Sequence, residues 1–70
     1  MDRYENRKYI GNLVREARER KAYTLRELAD ICGINSAKLS AIENGRYNVS
    51  IDILRRVCDA LGCKIDITEL

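Results

Sequence analysis

Apolar side chains recur at helical spacing through the first third of the chain. Within about residues 5–21 the spaced apolar positions are Ile10, Leu13, Val14 and Ala17. Positions three or four residues apart share one face of an α-helix, and the charged residues between them lie on the other face. The pattern predicts an amphipathic first helix with a loosely defined start, because Asp2 and Asn6 are both suitable N-caps.

A second helix is predicted to begin at Thr24. Thr24 and Glu27 fit a capping box, in which each residue's side chain accepts a hydrogen bond from the other's backbone amide. The apolar positions that follow have helical spacing, and they are Leu25, Leu28, Ala29 and Cys32. Gly33 should end this helix, since glycine adopts the left-handed conformation without steric cost.

The next predicted helix is short and mostly polar. Asn35 or Ser36 caps it, and it runs to about Asn44 with Leu39 and Ile42 as its inward residues. Two short helices joined by a tight glycine turn, the second polar outside, are typical of a helix-turn-helix, here at about residues 24–44. Any small helical protein can also contain a helix pair broken by glycine, so spacing alone leaves DNA binding open.

The C-terminal third predicts one more helix and a strand. Ser50 caps the helix, which ends at Gly62. Its apolar positions form two adjacent stripes, Ile51, Leu54, Cys58 and Leu61, and beside them Ile53 and Val57. After Gly62 apolar and polar residues alternate, which predicts a short β-strand over about residues 63–68. The predicted fold is mainly α, a single domain over 1–70 with four to five helices and this C-terminal strand.

Several segments of the chain resemble a known family. They are residues 10–18 (IGNLVREAR), 24–29 (TLRELA), 33–34 (GI), 39–45 (LSAIENG), 50–54 (SIDIL) and 60–62 (ALG). Together they resemble the phage-repressor/Cro (Xre-type) helix-turn-helix domain, over about residues 8–62. The resemblance implies a lambda-repressor-like fold and a sequence-specific transcriptional regulator, with the second motif helix in the major groove.

The resemblance also implies which residues meet DNA. The base-facing positions are Asn35, Ser36, Ala37, Lys38, Ser40 and Ala41. None of the small residues among them can make a bidentate contact to a base edge, so specificity should be modest or come from thymine methyl groups and DNA shape. The expected phosphate contacts are Thr24 at its helix N-terminus, Arg26, Arg46, Tyr47 and Asn48. Leu25 stands where many members of the family carry a phosphate-binding Gln.

Charge changes this picture only through its distribution. The net charge is +2, too small to identify a nucleic-acid binder. Residues 1–26, however, hold eight basic and four acidic side chains, an excess of +4. Among the acidic residues, Glu43 is expected to form a salt bridge or helix-end hydrogen bond, with Arg18 or Arg15 as partner, rather than to act as a catalyst.

The composition argues against several function classes. The chain has no histidine, and its three cysteines form no C-x-x-C pair, so neither a metal site nor a disulfide framework is expected. Cys32, Cys58 and Cys63 are interpreted as small apolar fillers in a reducing compartment. No catalytic constellation, cofactor site or membrane span is found, so we expect a cytoplasmic protein that is not an enzyme.

A strand without a partner in its own chain suggests a homodimer. Pairing with the same strand of a second copy would bury one set of apolar residues, Ile53, Val57, Cys63, Ile65 and Ile67. The alternative is that the segment folds back on its own subunit or frays. A dimer would bind a pseudo-palindromic operator and act as a repressor.

A C-terminal strand after Ala-Leu-Gly also resembles DNA-binding antitoxins, which implies a possible toxin-like protein partner. The competing function is accordingly a protein-interaction module that uses the small-residue face of the second motif helix.

Overall fold

The computed structural model describes residues 2–67, and in that range the chain forms four α-helices. They are α1 (Arg3–Arg20), α2 (Leu25–Cys32), α3 (Ser36–Glu43) and α4 (Ile51–Ala60). This confirms the predicted helices and the helix-turn-helix formed by α2 and α3. None of the described helices combines the length and the apolarity that crossing a bilayer requires.

Each helix begins at a polar N-cap whose side chain accepts a backbone N–H from the first turn. The cap residues are Asp2, Thr24, Asn35 and Ser50. At Thr24 both bonds of the predicted capping box are present, with Glu27 N 3.0 Å from Thr24 Oγ1 and Thr24 N 2.9 Å from Glu27 Oε1. The sequence left the start of α1 open, and the structure selects Asp2.

Gly33 makes the turn between α2 and α3. Its φ is +73°, in the left-handed region that glycine adopts without strain. The Ile34 N–H donates to the Ala29 carbonyl oxygen at 3.0 Å, and the Gly33 N–H donates to that of Asp30 at 3.3 Å. These two bonds close the end of α2 and set the direction in which α3 leaves.

The core lies where all four helices meet. Leu28 and Leu39 are completely buried, and Ile42 and Val57 are nearly so. The predicted inward residues of α3 are therefore confirmed. Val57 packs in the core of its own chain, so it holds α4 against the rest of the fold and has almost no surface left for a partner.

The predicted C-terminal strand is wrong for the described residues. Residues 63–67 form neither helix nor strand, and no strand occurs elsewhere within 2–67; Thr68, the last residue of the predicted strand, lies outside the described range. The physical reason is that a strand needs a neighbouring strand to bind its backbone N–H and C=O groups. An alternating pattern of side chains does not supply that neighbour. Cys63 and Ile65 are instead exposed and line a groove beside α1 and α4.

Ala22, in the turn after α1, carries a backbone strain that glycine would relieve. Its φ is +58°, where a Cβ is disfavoured. We expect Ala22→Gly to raise the free energy of unfolding by about 0.5–1 kcal/mol in urea denaturation, because relief of strain exceeds the added entropy of the unfolded chain. The matched control Ala41→Gly, inside α3, should lower it by about 1 kcal/mol. If Ala22→Gly and Ala41→Gly lowered the free energy of unfolding equally, Ala22 would not be strained.

Candidate nucleic-acid interface

The outer face of α3 carries small side chains. Leu39, Ile42 and Glu43 point inward and are at most 2% exposed. Around the rest of the helix, Ser36 and Ala37 are exposed and Ser40 and Ala41 are half-buried. The helix is thus held from one side, and its free side has no bulky group to keep a second surface away.

Asn35 and Lys38 begin this helix, and each already has a contact within the chain. Asn35 Oδ1 accepts the Lys38 N–H at 2.7 Å, which leaves the Asn35 amide nitrogen as the group it can offer to a ligand. Lys38 Nζ lies 5.0 Å from the centre of the Tyr47 ring, within the range of a cation–π interaction. The structure therefore brings together two predicted site residues from different elements.

The predicted phosphate-contacting residues are all at the surface. Thr24, Arg26, Arg46, Tyr47 and Asn48 are exposed. The N–H of Thr24, however, already donates to the Glu27 carboxylate. These bonds with Thr24 hold the pKa of the Glu27 carboxyl below its ordinary value. The Glu27 carboxylate at the start of α2 repels anions there. A phosphate would therefore be bound more strongly by the Arg26 side chain than by the N-terminus of α2.

Glu43 joins α3 to α1 through a buried ion pair. Arg18 donates to its carboxylate from Nε at 2.8 Å and from Nη2 at 3.1 Å, and Arg15 Nε lies 3.4 Å from Oε1. Arg18 Nη1 also donates to the Tyr23 carbonyl oxygen at 2.8 Å, just before α2. The hydrogen bond to Glu43 raises the pKa of Arg18 above its ordinary value. The predicted role of Glu43, with both predicted partners, is confirmed.

Two residues that position α3 were missed by the sequence reasoning. Asn44 accepts from Arg15 Nη2 at 2.9 Å and donates to the Ser40 carbonyl oxygen at 2.8 Å, which ties the end of α3 to α1. Gly11 is buried where α1 crosses the backbone of Ile42 and Glu43. A glycine inside an amphipathic helix lowers helix stability by about 1 kcal/mol relative to alanine. Its presence at position 11 was therefore the signal in the sequence of a close packing contact.

The residues predicted for a dimer interface do not form one surface. Val57 is in the core, Ile53 is half-buried against it, and Cys63, Ile65 and Ile67 are exposed. Cys63 and Ile65 border an apolar groove of about 470 Å³ between α1, α4 and the C-terminal segment. Among residues 2–67 no three Cys, Asp or Glu side chains lie close enough together to hold a metal ion.

A known protein family and solved structures share this arrangement. A family model described as a helix-turn-helix domain matches residues 10–69. Among solved structures, the clp gene regulator ClgR from Corynebacterium glutamicum superimposes with a TM-score of 0.83 at 41% identity, covering 84% of this chain and 76% of that one.

Curated relatives are similar to this chain over a part of their length. The transcriptional regulator ClgR of Mycobacterium tuberculosis is 34% identical over 61 residues, which are 87% of this chain and 54% of that protein. The HTH-type transcriptional regulator SlrR of Bacillus subtilis is 37% identical over 62 residues, which are 87% of this chain and 40% of that protein. The chain thus spans about half the length of these relatives or less.

Proposed function

Since the chain belongs to the helix-turn-helix domain family, we propose that it is a DNA-binding transcriptional regulator that places α3 in the major groove of duplex DNA. Its identification from the sequence as an Xre-type helix-turn-helix protein is confirmed.

The observation that carries the proposal is the shape of α3 and its support. The helix is fixed from below by Leu39, Ile42 and the buried Glu43, while its opposite side carries the exposed Ser36 and Ala37 and the half-buried Ser40 and Ala41. The major groove is wide enough to admit one α-helix, and a helix with small outward side chains can lie deep in it. Rigid support matters because a helix that shifts cannot hold its side chains in register with the base edges.

Specificity on this surface would come from modest contacts. Ser36 and Ser40 each offer one hydroxyl, and Ala37 and Ala41 offer methyl groups that suit thymine. Asn35 and Lys38 add donors at the start of the helix. Because the four small side chains cannot make bidentate contacts to a base edge, we propose that DNA shape contributes a large share of the discrimination.

Phosphate contacts would surround this helix. Arg26 and Arg46 offer exposed guanidinium groups, and Tyr47 and Asn48 offer polar groups on the loop after α3, with Thr24 at the start of α2. The Tyr47 ring lies beside Lys38 Nζ, so this loop contacts the proposed recognition helix. These contacts would position the protein on the duplex without reading sequence.

We propose a homodimer as the form that acts as a repressor at a promoter. The core of the described residues is small, and a second subunit is one way to add stability. Two copies would contact a pseudo-palindromic operator with half-sites about 34–36 Å apart. In vitro selection from a random DNA pool would test this, because two copies of one half-site at that spacing indicate a dimer.

The alternative, a protein-interaction module with an antitoxin-like role, has less support. Its toxin-like partner was suggested by resemblance to antitoxins with a C-terminal strand, and residues 63–67 are not a strand. DNA binding is the proposal favoured by the exposed face of α3.

The test places a negative charge on the proposed groove-facing side. We expect Ala41→Glu and Ala37→Glu each to weaken binding to the selected duplex by more than about 100-fold in fluorescence anisotropy, because a carboxylate would lie against base edges and phosphates without a partner. Lys38→Ala should weaken binding less, by about tenfold, and should lower the salt slope of log affinity by about 0.9 if Lys38 contacts a phosphate.

The control for charge is Lys64→Ala, which changes the net charge by the same amount from an exposed residue after α4. It should bind the duplex as the parent chain does. Circular dichroism should show that all four variants keep the helical fold. Unchanged affinity in Ala37→Glu and Ala41→Glu would remove α3 from the DNA interface, and no binding of any duplex by the parent chain at low salt would favour the interaction module.

A further inference from the structure

Two cysteines lie where α4 ends and the chain reverses direction. The Cys63 N–H donates to the Cys58 carbonyl oxygen at 2.8 Å, and the Gly62 N–H donates to that of Asp59 at 3.2 Å. Gly62 has a φ of +70°, in the left-handed region. This pair of bonds is the Schellman motif, so the backbone itself fixes Cys58 and Cys63 relative to each other.

The Schellman motif also places two residues at positions whose side chains commonly meet. The residue after the left-handed position commonly contacts the residue three places before the helix cap, and an apolar pair is usual. Here both positions are cysteine. Both line the groove between α1 and α4, and the Cys63 Sγ lies 3.7 Å from the Leu61 carbonyl oxygen, so the thiol turns back over the end of the helix.

The three cysteines differ in their access to solvent. Cys32 is 2% exposed, Cys58 is half-buried and Cys63 is exposed. Burial raises the pKa of the Cys58 thiol, and the neighbouring Cys63 raises it further. The interpretation of all three as apolar fillers therefore suits Cys32, while Cys63 is open to reagents in solution.

We propose that Cys58 and Cys63 form a redox-modification site, which small disulfides such as oxidised glutathione convert into an intrachain disulfide. The Cys63 thiolate attacks one sulfur of glutathione disulfide, whose S–S bond breaks, and one glutathione thiolate leaves. Cys58 then loses its proton to solvent and attacks the Cys63 sulfur, which releases the second glutathione. Two protein thiols become one disulfide, and one glutathione disulfide becomes two glutathione thiols.

The disulfide would join the last turns of α4 to the segment that follows it. It would close a short ring around Gly62 and hold residues 63–67 beside the groove, because the ring limits the directions in which the chain can leave the helix. It would also remove an exposed thiol that could otherwise link two chains. The proposal does not depend on DNA binding, since α3 takes no part in it.

The test uses the full chain and the positions of its tryptic sites. After incubation with excess oxidised glutathione, remaining thiols are alkylated under denaturing conditions and the chain is digested. Cleavage after Arg56 and Lys64 leaves both cysteines in residues 57–64, while Cys32 lies in residues 27–38. We expect the 57–64 peptide to lose two hydrogen atoms and take up no alkyl group, and the 27–38 peptide to be alkylated.

Two serine variants separate the steps. Cys58→Ser should keep one glutathione on Cys63, because the second attack is missing. Cys63→Ser should take up glutathione at least about tenfold more slowly, because Cys58 is less accessible. Glutathione that stays on Cys63 in the parent chain, or chains linked through Cys63 while the 57–64 peptide keeps its hydrogens, would overturn the proposal.

Discussion

Replacing Gly11 by alanine is expected to lower the free energy of unfolding by about 2 kcal/mol, and replacing it by valine to leave most of the chain unfolded at room temperature. An added Cβ would lie 2.5 Å from the Glu43 carbonyl oxygen, 2.8 Å from the Glu43 carbonyl carbon and closer still to the Ile42 carbonyl oxygen. These atoms are backbone and cannot rotate away. The helices α1 and α3 would have to separate, and the helix propensity gained with alanine, about 1 kcal/mol, offsets only part of this cost.

The control for Gly11 is its exposed neighbour Asn12. Asn12→Ala adds helix propensity on the same helix without a steric conflict, so it should raise stability by about 0.5 kcal/mol in the same urea or thermal denaturation. A Gly11→Ala variant as stable as Asn12→Ala would mean that α1 and α3 do not pack as closely as described. Because Gly11 meets the last turn of α3, Gly11→Ala should also weaken DNA binding at temperatures where it is still folded.

Removing the buried carboxylate of Glu43 is expected to cost about 3–5 kcal/mol, which is the penalty for leaving a buried charge without its partner. Glu43 is 2% exposed and the Arg18 side chain is 14% exposed, so water cannot replace the lost contact freely. Arg15, at 39% exposed, can turn toward solvent and should contribute less. Glu43→Ala should therefore be at the limit of folding, measured by circular dichroism and urea denaturation.

Two further substitutions separate the buried charge from ion pairs in general. Asp59→Ala breaks the Arg55–Asp59 pair, whose side chains are 72% and 66% exposed, and should cost less than about 0.5 kcal/mol. Glu43→Gln keeps the shape and one acceptor oxygen, so it should lower the free energy of unfolding by an amount between those of Glu43→Ala and Asp59→Ala. Equal stability of Glu43→Ala and Asp59→Ala would show that the Glu43 pair does not hold the fold.

Gly11 and Glu43 stabilise the same contact between α1 and α3. Both hold the C-terminal turn of α3 against α1, one by allowing close approach and the other by an ion pair with two arginines. Arg18 also connects this contact to the segment before α2, because it donates a hydrogen bond to the Tyr23 carbonyl oxygen. The orientation of the proposed recognition helix is thus set from its far end by α1, as well as from below by Leu39 and Ile42.

The C-terminal segment shows where local pattern is insufficient. Alternation of Cys63, Ile65 and Ile67 with polar residues is the pattern of a strand, and the strand did not form in the described residues. A strand requires a hydrogen-bonding edge, and its existence depends on the rest of the structure rather than on the segment. Helices satisfy their backbone groups within one segment, so their positions could be predicted from local spacing and caps.

The sequence by itself determined the four helices, the caps of α2 and α4, the glycine turn and the inward residues of α3, because each depends on residues within one or two turns of one another. It also indicated Glu43 with Arg15 and Arg18. Only the tertiary structure decided the close approach at Gly11, the ties of Asn44, the burial of Val57 and the adjacency of Cys58 and Cys63 at the end of α4. These features depend on the packing or backbone geometry of the assembled chain, which residue spacing does not specify.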